Sequence, residues 1–263
     1  LLSKDHRTVN WIALFLFLPF AVQGAVHRVE NDRIEITPIL NSVSPHDTVL
    51  LAKGTYHENL RIDIPILLTG DDAHIQGGFE GHTIFIGASG TIIDGLHVSE
   101  SGERLIKDMA CIRIEADSVE IRNCNITKPL HGIYVKGGSY SYIHHNRIEG
   151  RLDLIEADRG NGIHLWNSRH NVVSDNEIFN VRDGIYFSFA DSTDIENNHI
   201  HNVRYGLHYM YSNVNRFADN RFEENVAGAA LMYSQEIIFY RNIFARCRGF
   251  RAYGLLFQSM DRS

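Results

Sequence analysis

Residues 176–210 read NEIFNVRDGIYFSFADSTDIENNHIHNVRYGLHYM, and this stretch displays the repeat that decides the fold. An asparagine recurs every 22 residues and is followed two positions later by Ile or Phe; these are Asn176, Asn198, Asn220 and Asn242. A glycine keeps the same period, at Gly162, Gly184, Gly206 and Gly228. Units of this length cannot bury their apolar faces alone, so a fixed period predicts a solenoid of stacked coils.

The repeating units resemble β-strands rather than helices. Gly184-Ile-Tyr-Phe-Ser188 and Gly206-Leu-His-Tyr-Met210 alternate residue by residue and are rich in β-branched and aromatic side chains. The sequence therefore predicts an all-β fold, a right-handed, single-stranded parallel β-helix with about 22 residues per coil. The repeated asparagines are expected to occupy left-handed corners and to hydrogen-bond to their equivalents in the coils above and below.

The repeat is less regular on both sides of this region. Asn146 precedes Asn176 by 30 residues, which predicts an eight-residue excursion around 153–159 that leaves the coil surface. Cys124 is expected to fill the asparagine position one coil earlier, and Asp94 the position before that. A second bulge is expected around 247–251. Because the chain stops soon after another strand, with no capping element, we expect an incomplete β-helix truncated at its C-terminus. The first residue is Leu1 and not methionine, so we expect residues to be missing at the N-terminus too.

Residues 1–24 have the features of a secretory signal peptide. Basic Lys4 and Arg7 precede an apolar run that is too short for a membrane span of about 20 residues, and small residues then precede Ala25. We therefore expect cleavage near Gly24/Ala25, which leaves 25–263 as a β-helix domain. Lys4, Asp5 and Arg7 together carry +1, so cleavage changes the net charge from −7 to −8. This charge disfavours nucleic acid as a partner.

Three cysteines in an exported chain are an odd number, and no CxxC motif is present. We assign no disulfide. Cys124 is expected to be a small buried residue of the corner ladder, while the spacing of Cys111 and Cys247 indicates no ligand pattern.

The outward face of the most regular strands carries the candidate functional residues. Successive strand side chains alternate between faces, so an apolar set is predicted to point into the core: Ile163, Leu165, Ile185, Phe187, Leu207 and Leu231. The residues between them then point outward, namely His164, Tyr186, His208 and Ala230 in one row and Trp166, Ser188, Met210, Met232 and Gln258 in the next.

Met210 and Met232 are predicted to be neighbours on this face, because coils stack about 4.8 Å apart, with His208 beside them. Soft thioethers together with imidazole favour Cu(I) over harder ions, so the sequence predicts a copper site at His208, Met210 and Met232, which His164 extends. The same Met and aromatic residues also fit a protein interface or a surface covered by a loop.

Several of these stretches resemble the NosD family of periplasmic accessory proteins for nitrous oxide reductase maturation. The resemblance rests on 162–168, 182–186, 204–212, 227–234 and 253–258, and 47–56 and 66–70 resemble that family's opening coils and those of the wider carbohydrate-binding and sugar-hydrolase β-helix group. It implies a periplasmic β-helix docked at the inner membrane on an ABC transporter, with a membrane subunit and an ATPase, that helps deliver copper to the reductase's copper-sulfur centre. It further implies contacts with a copper-chaperone lipoprotein and with nitrous oxide reductase, and no enzymatic activity.

A polysaccharide-active β-helix, such as a uronate epimerase, lyase or glycosidase, is the alternative function. Such an enzyme needs positioned acid and base groups in a groove. Candidates are Asp153, Glu156 and Asp158 on the excursion and the pairs Arg182-Asp183 and Arg204-Tyr205 before the repeat glycines. A purely structural solenoid would explain the repeat but not the Met/His face.

Overall fold

The structure is a computed structural model that describes residues 24–250 and 252–262. Short strands, numbered in chain order, form three parallel sheets. The first sheet has ten strands: β1 (Val26–Val29), β2 (Thr48–Leu51), β5 (Leu67–Gly70), β8 (Ile92–Asp94), β11 (Glu120–Arg122), β14 (Tyr142–His144), β17 (Val172–Ser174), β20 (Asp194–Glu196), β23 (Arg216–Ala218) and β26 (Ile238–Tyr240).

The second and third sheets have nine strands each. The second contains β3 (Gly54–Tyr56), β6 (Ala73–Gln76), β9 (His97–Ser99), β12 (Asn125–Thr127), β15 (Arg147–Glu149), β18 (Glu177–Phe179), β21 (His199–His201), β24 (Arg221–Glu223) and β27 (Ile243–Ala245). The third contains β4 (Leu60–Ile62), β7 (Ile84–Ile86), β10 (Ala110–Ile114), β13 (His131–Lys136), β16 (Ile163–Trp166), β19 (Asp183–Ser188), β22 (Tyr205–Met210), β25 (Ala227–Gln235) and β28 (Tyr253–Asp261).

Helical structure in the described ranges is limited to three short segments: α1 (Thr37–Leu40) and two 3₁₀ turns, Leu105–Lys107 and Glu156–Asp158. From β2 onward each coil supplies one strand to each sheet, and equivalent strands of neighbouring coils pair in parallel; the first turn supplies only β1. The predicted all-β parallel β-helix is therefore confirmed.

The core fills the inside of the coil, as the alternation of the strands predicts. All six side chains predicted to point inward from the third sheet are fully buried, with 0% exposure. Phe217 and Phe222 are also fully buried and stack on Phe239 and Phe244 of the next coil, with ring centroids 4.8 and 5.0 Å apart. Stacking equivalent apolar side chains coil upon coil gives one continuous core.

The predicted asparagine ladder is present and continuous. Side-chain amide groups hydrogen-bond from Asn146 to Asn176 (3.0 Å), from Asn176 to Asn198 (2.9 Å), and onward to Asn220 (3.0 Å) and Asn242 (2.9 Å). Cys124 occupies the predicted ladder position, where its backbone N–H donates to Asn146 Oδ1 at 2.9 Å. A second ladder at the neighbouring corner joins Ser141 to Asn171 and Thr193 to Asn215.

Two details of the ladder differ from the expectation. The left-handed residue is not the asparagine but the residue before it, such as Asp175 (φ 56°), Asn197 (φ 55°) or Asp219 (φ 57°). The asparagine itself lies immediately before the next strand, and its side chain turns inward to reach the neighbouring coil. In the coil before Cys124, the ladder position belongs to buried Leu96 and not to Asp94. His97 pairs with Asn125, so the residue before it, Leu96, is equivalent to Cys124, whereas Asp94 pairs with Arg122.

The repeat glycines are required by close packing. A Cβ atom added at Gly206 would lie 2.6 Å from both the carbonyl oxygen of Gly228 and a ring carbon of Phe222. The glycine repeat therefore lets the beginning of each third-sheet strand approach the next coil closely, and no left-handed backbone is involved at this position.

The excursion around 153–159 leaves the coil surface as predicted. It contains the 3₁₀ turn Glu156–Asp158 and exposes Leu152 and Ile155 to solvent. Arg159 closes it by donating to the carbonyl oxygens of Leu154 (2.8 Å) and Asn180 (3.2 Å).

All three cysteines are free thiols. Burial raises the pKa of Cys111 and of Cys124 to about 12, whereas Cys247 is half-buried. The predicted signal peptide lies outside the described residues apart from Gly24. Within the described ranges, no helix is long and apolar enough to cross a membrane.

Candidate functional site

The outward face of the third sheet brings the predicted site residues into register. His164 on β16 pairs with Tyr186 on β19, Tyr186 pairs with His208 on β22, and His208 pairs with Ala230 on β25. In the adjacent row Met210 lies directly opposite Met232. Ala230 also faces this side, but it is buried, with 1% exposure.

His208 is held by a buried carboxylate. Its Nδ1 lies 2.9 Å from Asp183 Oδ2, and Arg204 binds the same carboxylate in a bidentate pair at 2.9 and 2.6 Å. Since the carboxylate is an acceptor, Nδ1 carries the hydrogen, and in the neutral imidazole the lone pair is then on Nε2. A carboxylate that fixes the tautomer in this way is the usual partner of a metal-ligating imidazole.

Asp183 stays ionised in this arrangement. Burial by itself would raise the pKa of its carboxyl group, but hydrogen bonds from His208 and Arg204 outweigh that effect, and the pKa lies below its ordinary value. The Asp183 side chain is only 2% exposed. Asp183 and Arg204 therefore position His208. Both residues belong to the pairs that the sequence offered as acid and base groups of an enzyme, and here they hold a histidine side chain instead.

Met210 and Met232 offer two thioethers on adjacent coils. Met210 Sδ lies 3.8 Å from the Tyr186 hydroxyl, which donates to it, and both methionines are half-buried. Met232 lies in a cleft of ≈ 520 Å³ between the coil and the bulge that follows β27. The lining of this cleft also includes Glu156, Tyr205, Tyr253, Leu256 and Gln258.

The structure does not bring His164 to the other three predicted ligands. Three strand spacings of about 4.8 Å separate β16 from β25, so His164 is roughly 14 Å from the strand of Met232. Its ring stacks on Tyr134 (centroids 4.2 Å apart) and contacts His131 edge-on. Burial, aided by the nearby His131 and Arg113, lowers the pKa of His164 to about 2, so the imidazole is neutral.

A groove beside this row was missed by the sequence analysis. Asp108, Tyr134 and Trp166 line it together with His164 and Tyr186. Burial raises the pKa of Tyr134 to about 12 and also raises that of Tyr186. The repeat could not predict that Asp108 lines this groove, because Asp108 lies between strands, after the 3₁₀ turn Leu105–Lys107.

The fold and this face define a class of protein, a parallel β-helix whose outer surface carries neighbouring histidine and methionine side chains. Residues 144–263 match the family described as "Periplasmic copper-binding protein (NosD)". The predicted resemblance to NosD is thereby confirmed for this part of the chain, which includes His164, His208, Met210 and Met232.

Two curated relatives carry the name "Probable ABC transporter binding protein NosD". The protein of Pseudomonas aeruginosa is 31% identical over 137 residues, which is 51% of this chain and 32% of the relative. The protein of Stutzerimonas stutzeri is 32% identical over the same length, which is 51% of this chain and 31% of the relative. The chain thus spans about a third of the length of the curated relatives it matches.

Solved structures share the fold at low sequence identity. A polygalacturonase from Erwinia carotovora superposes with a TM-score of 0.67 at 10% identity, over 99% of this chain and 96% of its own. An alginate lyase from Paenibacillus sp. gives 0.65 at 15% identity, over 91% and 99%. At these identities the likeness describes the β-helix and not its chemistry.

Proposed function

We propose that this β-helix is a periplasmic copper-binding component that works with an ABC transporter, and that it holds Cu(I) in transit at His208, Met210 and Met232. The observation that carries the proposal is the pairing of Met210 with Met232 beside a histidine whose Nδ1 is held by Asp183. Two thioethers and one imidazole are a soft, largely neutral donor set, which favours Cu(I) over Zn²⁺ or Mg²⁺.

The site is built for transient binding of its cargo. His208 alone is fixed by a strong partner, while the thioethers are on flexible chains with Tyr186 as a weak donor to one of them. His208 and Met210 are two residues apart on one strand, about 6.6 Å along it, so the Met side chains must turn toward the imidazole to share an ion. Release then needs only rotation of the methionines.

The proposed partners follow from the family resemblance and the names of the curated relatives. They are the membrane subunit and ATPase of an ABC transporter, a copper-chaperone lipoprotein that supplies Cu(I), and nitrous oxide reductase as the recipient. Export would follow cleavage near Gly24/Ala25, which N-terminal sequencing of the protein from a periplasmic extract checks.

The polysaccharide-active alternative is less well supported by the geometry. A lyase needs a base near neutral pH, but the raised pKa values of Tyr134 and Tyr186 keep their hydroxyls protonated. Asp183 is engaged by Arg204 and His208, and Asp153 is paired with Arg151 at 2.6 Å. The pKa values of the Asp153 and Asp183 carboxyl groups both lie below their ordinary value, which does not suit either group to act as a general acid.

Titration with Cu(I) in the absence of oxygen, in competition with a colorimetric Cu(I) chelator, tests the proposal. We expect saturable binding by the full protein and a loss of at least about tenfold in affinity in the Met210→Ala/Met232→Ala double variant. Met109→Ala, a half-buried methionine four strands away, is the matched control and should leave the affinity unchanged. Equal affinity in the double variant and wild type would rule out this site.

A further inference from the structure

A second group of ligand-type side chains lies on a different sheet from the Met/His face. Glu177 on β18 and His199 and His201 on β21 point outward from the second sheet. One ligand atom from each can be chosen so that the three atoms lie within 4.8 Å of one another. Glu177 and His199 are direct cross-strand partners, so the coil register fixes their proximity.

The ring of His201 is oriented as a ligand would be. Its Nδ1 lies 2.7 Å from Asn202 Oδ1, an acceptor, so Nδ1 carries the hydrogen and Nε2 presents a lone pair. The ring also stacks on Phe179 in parallel, with centroids 4.9 Å apart. A hydrogen bond to the far nitrogen and a packed ring face are how proteins preset a metal-binding imidazole.

The Nε2 atoms of both histidines are shielded from water, and neither has a hydrogen-bond partner within the described part of the chain. His201 Nε2 is 3.6 Å from Glu177 Oε1, and His199 Nε2 is 3.4 Å from Glu223 Oε2. These distances are too long for charge-assisted hydrogen bonds, which are about 2.7–2.9 Å. They match the separation of roughly 3.4 Å between ligands in a tetrahedral site with metal–ligand bonds of about 2.1 Å.

Arginines occupy the carboxylate oxygens that face away from the histidines. Arg147 Nε lies 3.4 Å from Glu177 Oε2, and Arg246 lies 3.1 Å from Glu223 Oε1, where Arg221 also binds. Each glutamate therefore keeps one oxygen directed toward a histidine. Glu223 is nearly buried, with a side-chain exposure of 8%, so its position is well fixed.

We propose that Glu177, His199 and His201, with Glu223 next to them, form a site for a divalent ion of the Zn²⁺ class. Two imidazoles and carboxylate oxygens suit Zn²⁺ and its chemical neighbours, whereas Cu(I) favours thioethers and Mg²⁺ or Ca²⁺ favour all-oxygen sites. The ion would bridge β18 and β21, and Glu223 would extend the bridge to β24. The site is independent of the proposed Cu(I) site in donor type and in location.

Titration of the full protein, freed of metal with a chelator, with Co²⁺ at pH 7.5 tests this proposal. We expect one equivalent to give the visible absorption of tetrahedral Co²⁺, and Zn²⁺ to displace it and raise the melting temperature. His199→Gln and Glu177→Gln should each weaken Co²⁺ binding by at least about tenfold.

Two controls make the result specific. His170→Gln removes an exposed histidine that stacks on Tyr140, and it should leave the Co²⁺ spectrum unchanged. Met210→Ala/Met232→Ala should also retain Co²⁺ binding even where it loses Cu(I), which separates this proposal from the proposed function. Circular dichroism verifies that each variant is folded. Absence of saturable Co²⁺ binding, or wild-type binding by folded His199→Gln, would overturn the proposal.

Discussion

Replacing Asn198 with alanine tests whether the asparagine ladder holds the coils together. Asn198 is 1% exposed and lies in the middle of the ladder. Its Oδ1 accepts the backbone N–H of Asn176 (3.1 Å) and the side-chain amide of the same residue (2.9 Å). Its Nδ2 donates to the carbonyl of Val173 (2.9 Å) and to Asn220 Oδ1 (3.0 Å).

The expected loss follows from these four hydrogen bonds. At about 1 kcal/mol for each buried hydrogen bond, Asn198→Ala should lower the free energy of unfolding by roughly 4 kcal/mol. The backbone N–H of Asn176 is left buried without its acceptor, which adds to the loss. Because a solenoid is stabilised by contacts between neighbouring coils, the change weakens the interfaces on both sides of one coil.

Urea denaturation followed by circular dichroism measures the effect. The control is Asn125→Ala, since Asn125 faces outward on β12 and its amide oxygen makes one long contact, 3.5 Å from Arg147. The control should change the unfolding free energy by no more than about 0.5 kcal/mol. A loss below about 1 kcal/mol for Asn198→Ala, similar to that control, would refute the view that the ladder is a main source of stability.

Three further predictions concern the packing, the thiols and the buried histidine. Gly206→Ala places a methyl group 2.6 Å from the next glycine's carbonyl oxygen and should cost about 1–3 kcal/mol in urea denaturation, whereas a wild-type midpoint would contradict the close-packing argument. A thiol reagent at pH 8 should label at most Cys247 in the folded protein and all three cysteines in urea, because burial raises the pKa values of the other two to about 12. The pKa of His164 is lowered to about 2, so the unfolded chain binds a proton below pH 6.5 that the folded chain does not, and stability falls as the pH is lowered. His164→Phe should therefore reduce the loss of stability between pH 6.5 and 4.5, by up to about 1.4 kcal/mol per pH unit, and an unchanged pH profile would contradict the burial of a neutral imidazole.

Part of the candidate site could be predicted from the repeat. Met210 and Met232 are 22 residues apart, so a constant coil length makes them neighbours before any coordinates are known. Their shared face follows from strand alternation. The buried ion pair below His208 was not predictable, because Asp183 reaches His208 across 25 residues through the orientation of one side chain and the approach of Arg204.

The corner residues show the same limit. Both Asn197 and Asn198 are asparagines at a corner; the 22-residue repeat identifies Asn198 as the ladder residue, but it does not show that the left-handed backbone belongs to Asn197. In the structure the backbone of Asn197 has φ > 0, and the side-chain amide of Asn198 turns inward, where it hydrogen-bonds to the neighbouring coils. The excursion around 153–159 also lengthens one coil, so residue spacing no longer equals coil spacing on its two sides.

The sequence alone determined the solenoid, its coil length and the division into inward and outward side chains, because parallel stacking of equivalent strands repeats the same environment once per coil. Tertiary structure decided which outward residues act together. The Asp183–His208 pair, the distance of His164 from the methionines, and the approach of Glu177 to His201 depend on side-chain direction and on charges from several coils. The repeat fixes where each Cα lies, whereas ligand geometry depends on atoms farther out along each side chain.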